Sequence, residues 1–281
     1  MKPIYLTLLI LFTIVCTSYA QNTKQVVYKQ IDTTKLTMVI YTPPDFDKGE
    51  NYPALAFFFG GGWKGGSTKQ FEPHAKYFSK RGIVCFLVNY RVESRDKATP
   101  FESLKDARSA IRHIRGNAGL FKIDPNRIIA SGGSAGGHLA AATALTDKYD
   151  DERDDLDISC VPDALVLFNP VIDNGPGGYG FERIGMEYKD FSPLHNINSG
   201  APPTIFFLGT QDALIPVETA QYYKKVMEKV GSRCELRLYE GEGHGFFNYK
   251  NFENYKSTVS EADKFLISIG FLEKEPEVQI E

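Results

Sequence analysis

An α/β fold, with a mostly parallel central sheet of about eight strands and helices on both faces, is predicted by three features of this chain. From Gln25 onward, short β-rich runs alternate with longer segments of helical periodicity. No internal repeat and no linker long enough to divide the chain interrupts that rhythm. The 281 residues are 42% hydrophobic and 24% charged, material for one large globular domain.

The elements follow in order. The opening MKPIYLTLLILFTIVCTSYA sets Lys2 before an apolar run from Ile4 to Val15 and ends in Ser18-Tyr19-Ala20, with small residues where a signal peptidase reads. Residues 1–20 are therefore expected to be a cleavable signal peptide, with residues 21–281 forming one domain that is secreted or periplasmic. The apolar run falls short of the roughly twenty residues that span a bilayer, so no membrane association is expected after cleavage. Cys16 lacks the small preceding residue of a lipoprotein anchor, because Val15 stands there.

QVVYKQI and LTMVIYT are expected to form an antiparallel hairpin at one edge of the sheet. The strand ALAFFF (54–59), a glycine-rich loop, a helix around 70–81 and the strand IVCFLVNY (83–90) come next. A long helix runs through ESLKDARSAIRHIRG, where Leu104, Ala107, Ile111 and Ile114 recur at three- and four-residue spacing and mark a buried face. Lys105, Arg108, Arg112 and Arg115 fall elsewhere and are expected to be solvated. The strand RIIASG (127–132) and a helix over about 136–145 lead to the acidic loop DKYDDERDDLD, also expected to be solvated rather than cation-binding. The strand DALVLFNP (163–170) precedes a segment rich in glycine and aromatics, residues 171–199, the one sizeable insertion and a candidate lid. PTIFFLGT (203–210), a helix over about 217–230, CELRLYE (234–240) and a helix over about 252–270 complete the pattern, before a charged tail.

Removing Lys2 with the leader takes the formal net charge from −3 to −4, and no basic stretch remains to follow a phosphate backbone, which excludes nucleic acid as a partner. Cys85, Cys160 and Cys234 lack the close spacing of metal or redox sites and read as core residues, although an oxidising compartment would permit one disulfide among them.

Residues 131–138, SGGSAGGH, admit two chemistries. Gly132 and Gly137 have the spacing of a phosphate-binding loop, but His138 and Leu139 stand where its lysine and hydroxyl residue belong. Gly132, Ser134 and Gly136 instead fit the turn G-x-S-x-G, with a strand before it and a helix after it, which displays a nucleophilic serine. Such a serine needs a base and a third group that holds the base. His74 and His113 lie in helical patterns, as satisfied or exposed residues, and His138 lies on the helix after Ser134. His195 precedes a strand, as a supporting or lid residue. His244, in EGEGHGFF, follows a strand at the sheet edge where active residues collect, and Asp212, in GTQDALIP, has the same placement.

The order Ser134, Asp212, His244 is that of the α/β-hydrolases. DPNRIIASGGSAGGHLA, APPTIFFLGTQDALIP and EGHGF together resemble the nucleophile, acid and histidine segments of bacterial acetyl and feruloyl esterases related to the hormone-sensitive-lipase group, over most of residues 40–270. The resemblance implies an α/β-hydrolase fold and a serine ester hydrolase needing no metal or cofactor. In such enzymes the loop H-G-G-G-W supplies backbone N–H groups to an oxyanion hole, which maps onto Gly61 and Gly62, with the N–H of Ala135 as the third donor. Here Phe59 replaces the loop histidine, and apolar packing is the expected substitute brace.

Trp63 and Lys64 are candidates for the pocket mouth, with Trp63 equally readable as a packing plug. His195, Tyr179 and Phe181 are further candidate substrate contacts; the aromatics at Tyr179, Phe181, Tyr188 and Phe191 read either as stacking surfaces or as packing for the loop. A thin cap implies a short acyl group on a bulky alcohol: acetyl, or feruloyl, on a polysaccharide such as xylan. Two alternatives share the motifs, a serine peptidase of the prolyl-oligopeptidase type and a binding module that has lost catalysis.

Overall fold

Leu36, Met38 and Ile40 alternate along Thr34–Tyr41 (β2) and point into the core, the period-two pattern of a strand with one buried face. Strand Thr23–Ile31 (β1) pairs with it antiparallel, as the expected edge hairpin. The computed structural model describes residues 23–281, so the signal peptide expected at residues 1–20 lies outside the described residues.

The remaining strands are Tyr52–Phe58 (β3), Val84–Val88 (β4), Ile123–Gly133 (β5), Ala164–Phe168 (β6), Thr204–Gly209 (β7) and Cys234–Tyr239 (β8). Sheet order is β1-β2-β4-β3-β5-β6-β7-β8, with β2 antiparallel to both neighbours and every pair from β4 to β8 parallel. VCFLV and ALVLF are buried at every position because helices cover both faces of the sheet.

The helices are Glu72–Lys80 (α1), Glu93–Asp96 (α2), Pro100–Gly116 (α3), Ala135–Leu145 (α4), Phe181–Ile184 (α5), Tyr188–Phe191 (α6), Val217–Lys229 (α7) and Phe252–Ser268 (α8). Leu104 and Ile111 of α3, Leu139 of α4 and Met227 of α7 share one core. Ala75 and Phe78 of α1 and Val259 and Leu266 of α8 share the other. Helix α3 starts earlier than its apolar period suggests. Thr99 caps it reciprocally with Glu102, and Pro100 at the first position costs no hydrogen bond there. The candidate lid, residues 171–199, holds α5, α6 and two short 3₁₀ turns.

Two expectations about charge are corrected. The basic side of α3 is not solvated: Arg108 and Arg112 are buried, and the acidic loop folds over them. Asp150 takes Arg108 Nε at 2.7 Å and Arg112 at 2.6 Å, Asp154 takes Arg112 at 3.3 Å, and Asp151 takes Lys29 Nζ at 2.8 Å. Helical periodicity identifies a polar face but not what packs against it. The thiols of Cys85, Cys160 and Cys234 are free and buried. Cys85 and Cys234 lie on strands five ladder spacings apart, roughly 24 Å, well beyond disulfide reach.

His74 is neither exposed nor satisfied. Its ring is fully buried within 4.9–6.1 Å of the rings of Phe57, Phe71, Phe168, Phe247 and Tyr255, and both nitrogens lack partners among the described residues. Burial lowers its pKa to about 3, and burial does the same to His138. Between the ordinary value near 6.5 and 3, the unfolded chain binds protons that the folded one refuses. Stability is therefore highest above pH 6.5 and is lost as pH falls, by up to about 1.4 kcal/mol per pH unit for each such histidine. His74→Phe is expected to keep the neutral-pH melting temperature and to flatten its decline between pH 6.5 and 4. Parallel declines in the two proteins would count against this origin of acid sensitivity.

Candidate active site

The turn that carries Ser134 is shaped by its glycines. A Cβ on Gly132 would lie 2.3 Å from the Gly136 carbonyl oxygen, and one on Gly136 would lie 2.0 Å from that of Phe58. Side chains at either position would force strand and helix apart. Between β5 and α4, Ser134 itself adopts φ 54° and ψ −120°, a strained conformation. It is held from three sides: its N–H donates to Phe168 O at 3.0 Å, and its carbonyl accepts from His138 N–H at 2.9 Å and Val171 N–H at 3.1 Å.

Asp212 follows β7, and its carboxylate is shut off from solvent. Oδ1 accepts the N–H groups of Leu214 at 2.9 Å and Ile215 at 3.1 Å, which leaves Oδ2 to accept from His244 Nδ1 at 2.8 Å. An ionised carboxylate only accepts, so Nδ1 carries the imidazole proton and Nε2 is the acceptor. Ser134 Oγ lies 2.9 Å from Nε2 and donates to it. Three residues separated by 78 and 32 positions thus form one continuous chain of hydrogen bonds.

Beside them runs the glycine loop. Phe59 is buried and stacks on Tyr90 with ring centroids 4.2 Å apart, while Tyr90 O–H donates to Phe59 O at 2.5 Å. This is the apolar brace expected where the histidine is missing. Gly60 N–H donates to Gln70 Oε1 at 2.6 Å, Gln70 Nε2 to Asn248 Oδ1 at 2.9 Å, and Asn248 Nδ2 to Gly245 O at 2.7 Å. The loop is thereby tied to the segment holding His244. The N–H groups of Gly61, Gly62 and Ala135 meet no acceptor among the described residues. Gly61 and Gly62 adopt φ 136° and 64°, which glycine alone reaches without cost.

Gly60, Gly61, Gly62, Ser134, His244, Tyr179, Leu214 and Phe247 border a cleft of about 270 Å³. Of the predicted contacts, Tyr179 is in its wall. Trp63 is a packing plug, corrected from the pocket mouth: it is buried against His138, Tyr179 and Phe191 at 5.1–6.0 Å. Lys64 is exposed and outside the cleft wall, because its turn folds back through Lys64 N–H to Gly61 O. Phe181 packs on Tyr188, away from the cleft. His195 borders a neighbouring hollow, 3.9 Å from Asp173. Phe191 is fully buried and stacks on His138.

Sequence reasoning missed four residues. Gln70 and Asn248 are described above. Asn169, at φ 34° after β6, accepts Gly245 N–H at 3.0 Å and places Nδ2 3.4 Å from His244 Nε2. Arg183, from the insertion, donates to Gly62 O at 2.7 Å and lays its guanidinium over Trp63 and Tyr179 at 5.2 and 5.8 Å. All are common polar types with no spacing signature; the asparagine after an apolar strand was the one available signal. Arg183→Met keeps the apolar stem but frees the Gly62 carbonyl. A charged hydrogen bond of about 1.5–3 kcal/mol predicts a loss of roughly 10–100-fold in kcat, with KM nearly unchanged, in steady-state ester hydrolysis.

The arrangement can activate a hydroxyl and receive negative charge on an oxygen beside it. Two family models match the chain: BD-FAE over residues 38–174 and the dienelactone hydrolase family over residues 178–271. Esterase 2 of Thermogutta terrifontis, phosphoramylated by tabun, is 43% identical with a TM-score of 0.86, covering 91% of this chain and 97% of that one. Its butyrate-bound structure is 41% identical with a TM-score of 0.86, covering 90% and 96%. The acetylxylan esterase of Xylanibacter ruminicola is 26% identical over 276 residues, 92% of this chain and 54% of that protein. The chain spans about half the length of the curated relatives it matches. With the sheet order, the serine turn and a solved esterase 43% identical that is matched over 91% of this chain and 97% of its own, the chain belongs to the α/β-hydrolase superfamily, in the hormone-sensitive-lipase-like family of esterases.

Proposed function

We propose that the protein hydrolyses short-chain carboxylic esters through an acyl-enzyme on Ser134, its substrates being acetyl, or feruloyl, groups on a polysaccharide such as xylan. The observation that carries this reading is Ser134 Oγ at 2.9 Å from an imidazole whose other nitrogen is held by a buried carboxylate. Ser134 Oγ attacks the ester carbonyl as its proton passes to His244 Nε2, and Asp212 stabilises the resulting imidazolium. The carbonyl oxygen, now negative, is received by the N–H groups of Gly61, Gly62 and Ala135, where removing one such donor costs about 10²–10³ in kcat. Collapse expels the alcohol, which takes the proton from Nε2, and water repeats the sequence on the acyl-enzyme.

A cleft of about 270 Å³ suits a short acyl group. The butyrate- and propionate-bound forms of the Thermogutta terrifontis esterase and the name of the Xylanibacter ruminicola relative support the same choice. Export is part of the proposal and rests on Lys2, the apolar run from Ile4 to Val15 and Ser18-Tyr19-Ala20; a mature N-terminus at Gln21 is its test. For the chemistry, p-nitrophenyl acetate, butyrate and octanoate are compared with acetate release from acetylated xylan. Octanoate is expected to be at least about tenfold poorer in kcat/KM than acetate, the cost of chain that finds no pocket. Octanoate preference would overturn the short-chain assignment, and xylan left intact beside brisk p-nitrophenyl acetate turnover would overturn the polysaccharide.

A further inference from the structure

Tyr179 and Leu214, which line the cleft at Ser134, each belong to a segment that also borders a second space. A second hollow, of about 580 Å³, is bordered by Asp173, Leu194, His195, Glu218, Thr219 and Tyr222. The same two segments wall both spaces. The insertion contributes Tyr179 to the first and Asp173 and His195 to the second, and the segment after Asp212 contributes Leu214 to the first and Glu218 and Tyr222 to the second.

Each wall is held in place, one by its own turn and the other by Asp212. Asn174 Nδ2 donates to Tyr179 O at 2.8 Å, and Gly175 N–H to Asp173 Oδ1 at 2.8 Å. This turn doubles back so tightly that a Cβ on Gly178 would lie 2.6 Å from Asp173 O, which sets Asp173 beside the residue preceding Tyr179. Opposite, Asp212 holds Leu214 and Ile215, and Glu218 follows in the first turn of α7.

The chemistry of the hollow is specific. The carboxylates of Asp173 and Glu218 have no lysine or arginine partner among the described residues, unlike those of Asp106, Asp150 and Asp154. Tyr222 is 58% exposed. A hydrocarbon chain lying here would strip water from two carboxylates without replacing it. A hydroxylated ring instead offers donors to acceptor-only carboxylates and a C–H face to the phenol ring. An organic cation calls for enclosure by several rings, whereas one exposed ring gives a stacking platform.

We propose that this hollow is a subsite for a sugar-like, polyhydroxylated alcohol portion of the ester, which would extend from Ser134 along the two segments that wall both spaces. The proposal rests on ester hydrolysis at Ser134. Its test compares the mature enzyme with Tyr222→Ala and Glu218→Gln, both changes at exposed positions, using p-nitrophenyl acetate and an acetylated xylo-oligosaccharide. Each variant is expected to lose about 3–10-fold in kcat/KM on the sugar ester, through KM, while p-nitrophenyl acetate turnover is unchanged. Equal losses on both substrates, or none on either, would overturn the subsite, as would inhibition of the sugar ester reaction by choline but not by unacetylated xylotriose. Calorimetric binding of xylotriose to Ser134→Ala, weakened by adding Tyr222→Ala, tests the subsite without turnover. Absence of p-nitrophenyl acetate hydrolysis would therefore sink the ester chemistry alone, and absence of xylotriose binding the subsite alone.

Discussion

Ser134→Ala is expected to lower kcat/KM on p-nitrophenyl acetate by about 10⁴-fold or more, while the melting temperature stays within about 2 °C. The size of the loss follows from what remains. Without Oγ, the imidazole of His244 still faces the cleft, and the N–H groups of Gly61, Gly62 and Ala135 still await an oxygen, but no covalent step is possible. The fold is spared because Ser134 is held by its backbone, through Phe168, His138 and Val171. The measurement is steady-state hydrolysis beside labelling by a serine-reactive fluorophosphonate. Activity near that of the unaltered protein would remove Ser134 as nucleophile and with it the proposed mechanism.

The largest effect on stability is expected from Asp106→Ala, at about 3–5 kcal/mol, or roughly 8–15 °C in melting temperature. The Asp106 side chain is wholly buried and accepts from Lys29 Nζ at 2.9 Å, from Arg91 Nε at 2.8 Å and Nη2 at 2.9 Å, and from Arg91 N–H at 3.1 Å. Removing it leaves two cations with little exposure facing a vacated space. Lys29 retains Asp151, and Arg91 retains Glu102 at 3.3 Å, where the carboxylate is 40% exposed and screened by water. Glu102→Ala also removes half of the Thr99 cap, so its cost of about 1 kcal/mol sets the scale of a rim contact. Equal thermal shifts for Asp106→Ala and Glu102→Ala would show that burial does not set the difference.

How far the sequence carried these conclusions depended on how local each cause was. The turn at Ser134 was legible because the space that excludes side chains at Gly132 and Gly136 arises within a strand-turn-helix of a dozen residues. The meeting of Ser134, Asp212 and His244 was legible because each follows a parallel strand, and such strands deliver their ends to one edge. Arg108 and Arg112 were misread because the loop that covers them lies about 40 positions away. Arg183 was invisible for the same reason, reaching Gly62 across 121 positions, as was the tie from Gln70 to Asn248 across 178, and neither residue type announces a site. Trp63 illustrates a third limit, since the direction in which a side chain leaves a glycine loop is set by φ 58° at its own position.

The contact between Arg183 and Gly62 bears on how such an enzyme can change. An arm that shapes what the cleft admits also grips the loop on which turnover depends, so the two properties share one inheritance. A lineage that acquires a new arm for a new ester must bring along a cation for the Gly62 carbonyl or lose rate while it gains scope. Chimaeras that exchange residues 171–199 wholesale are expected to be sluggish until an arginine is restored at the position facing that carbonyl.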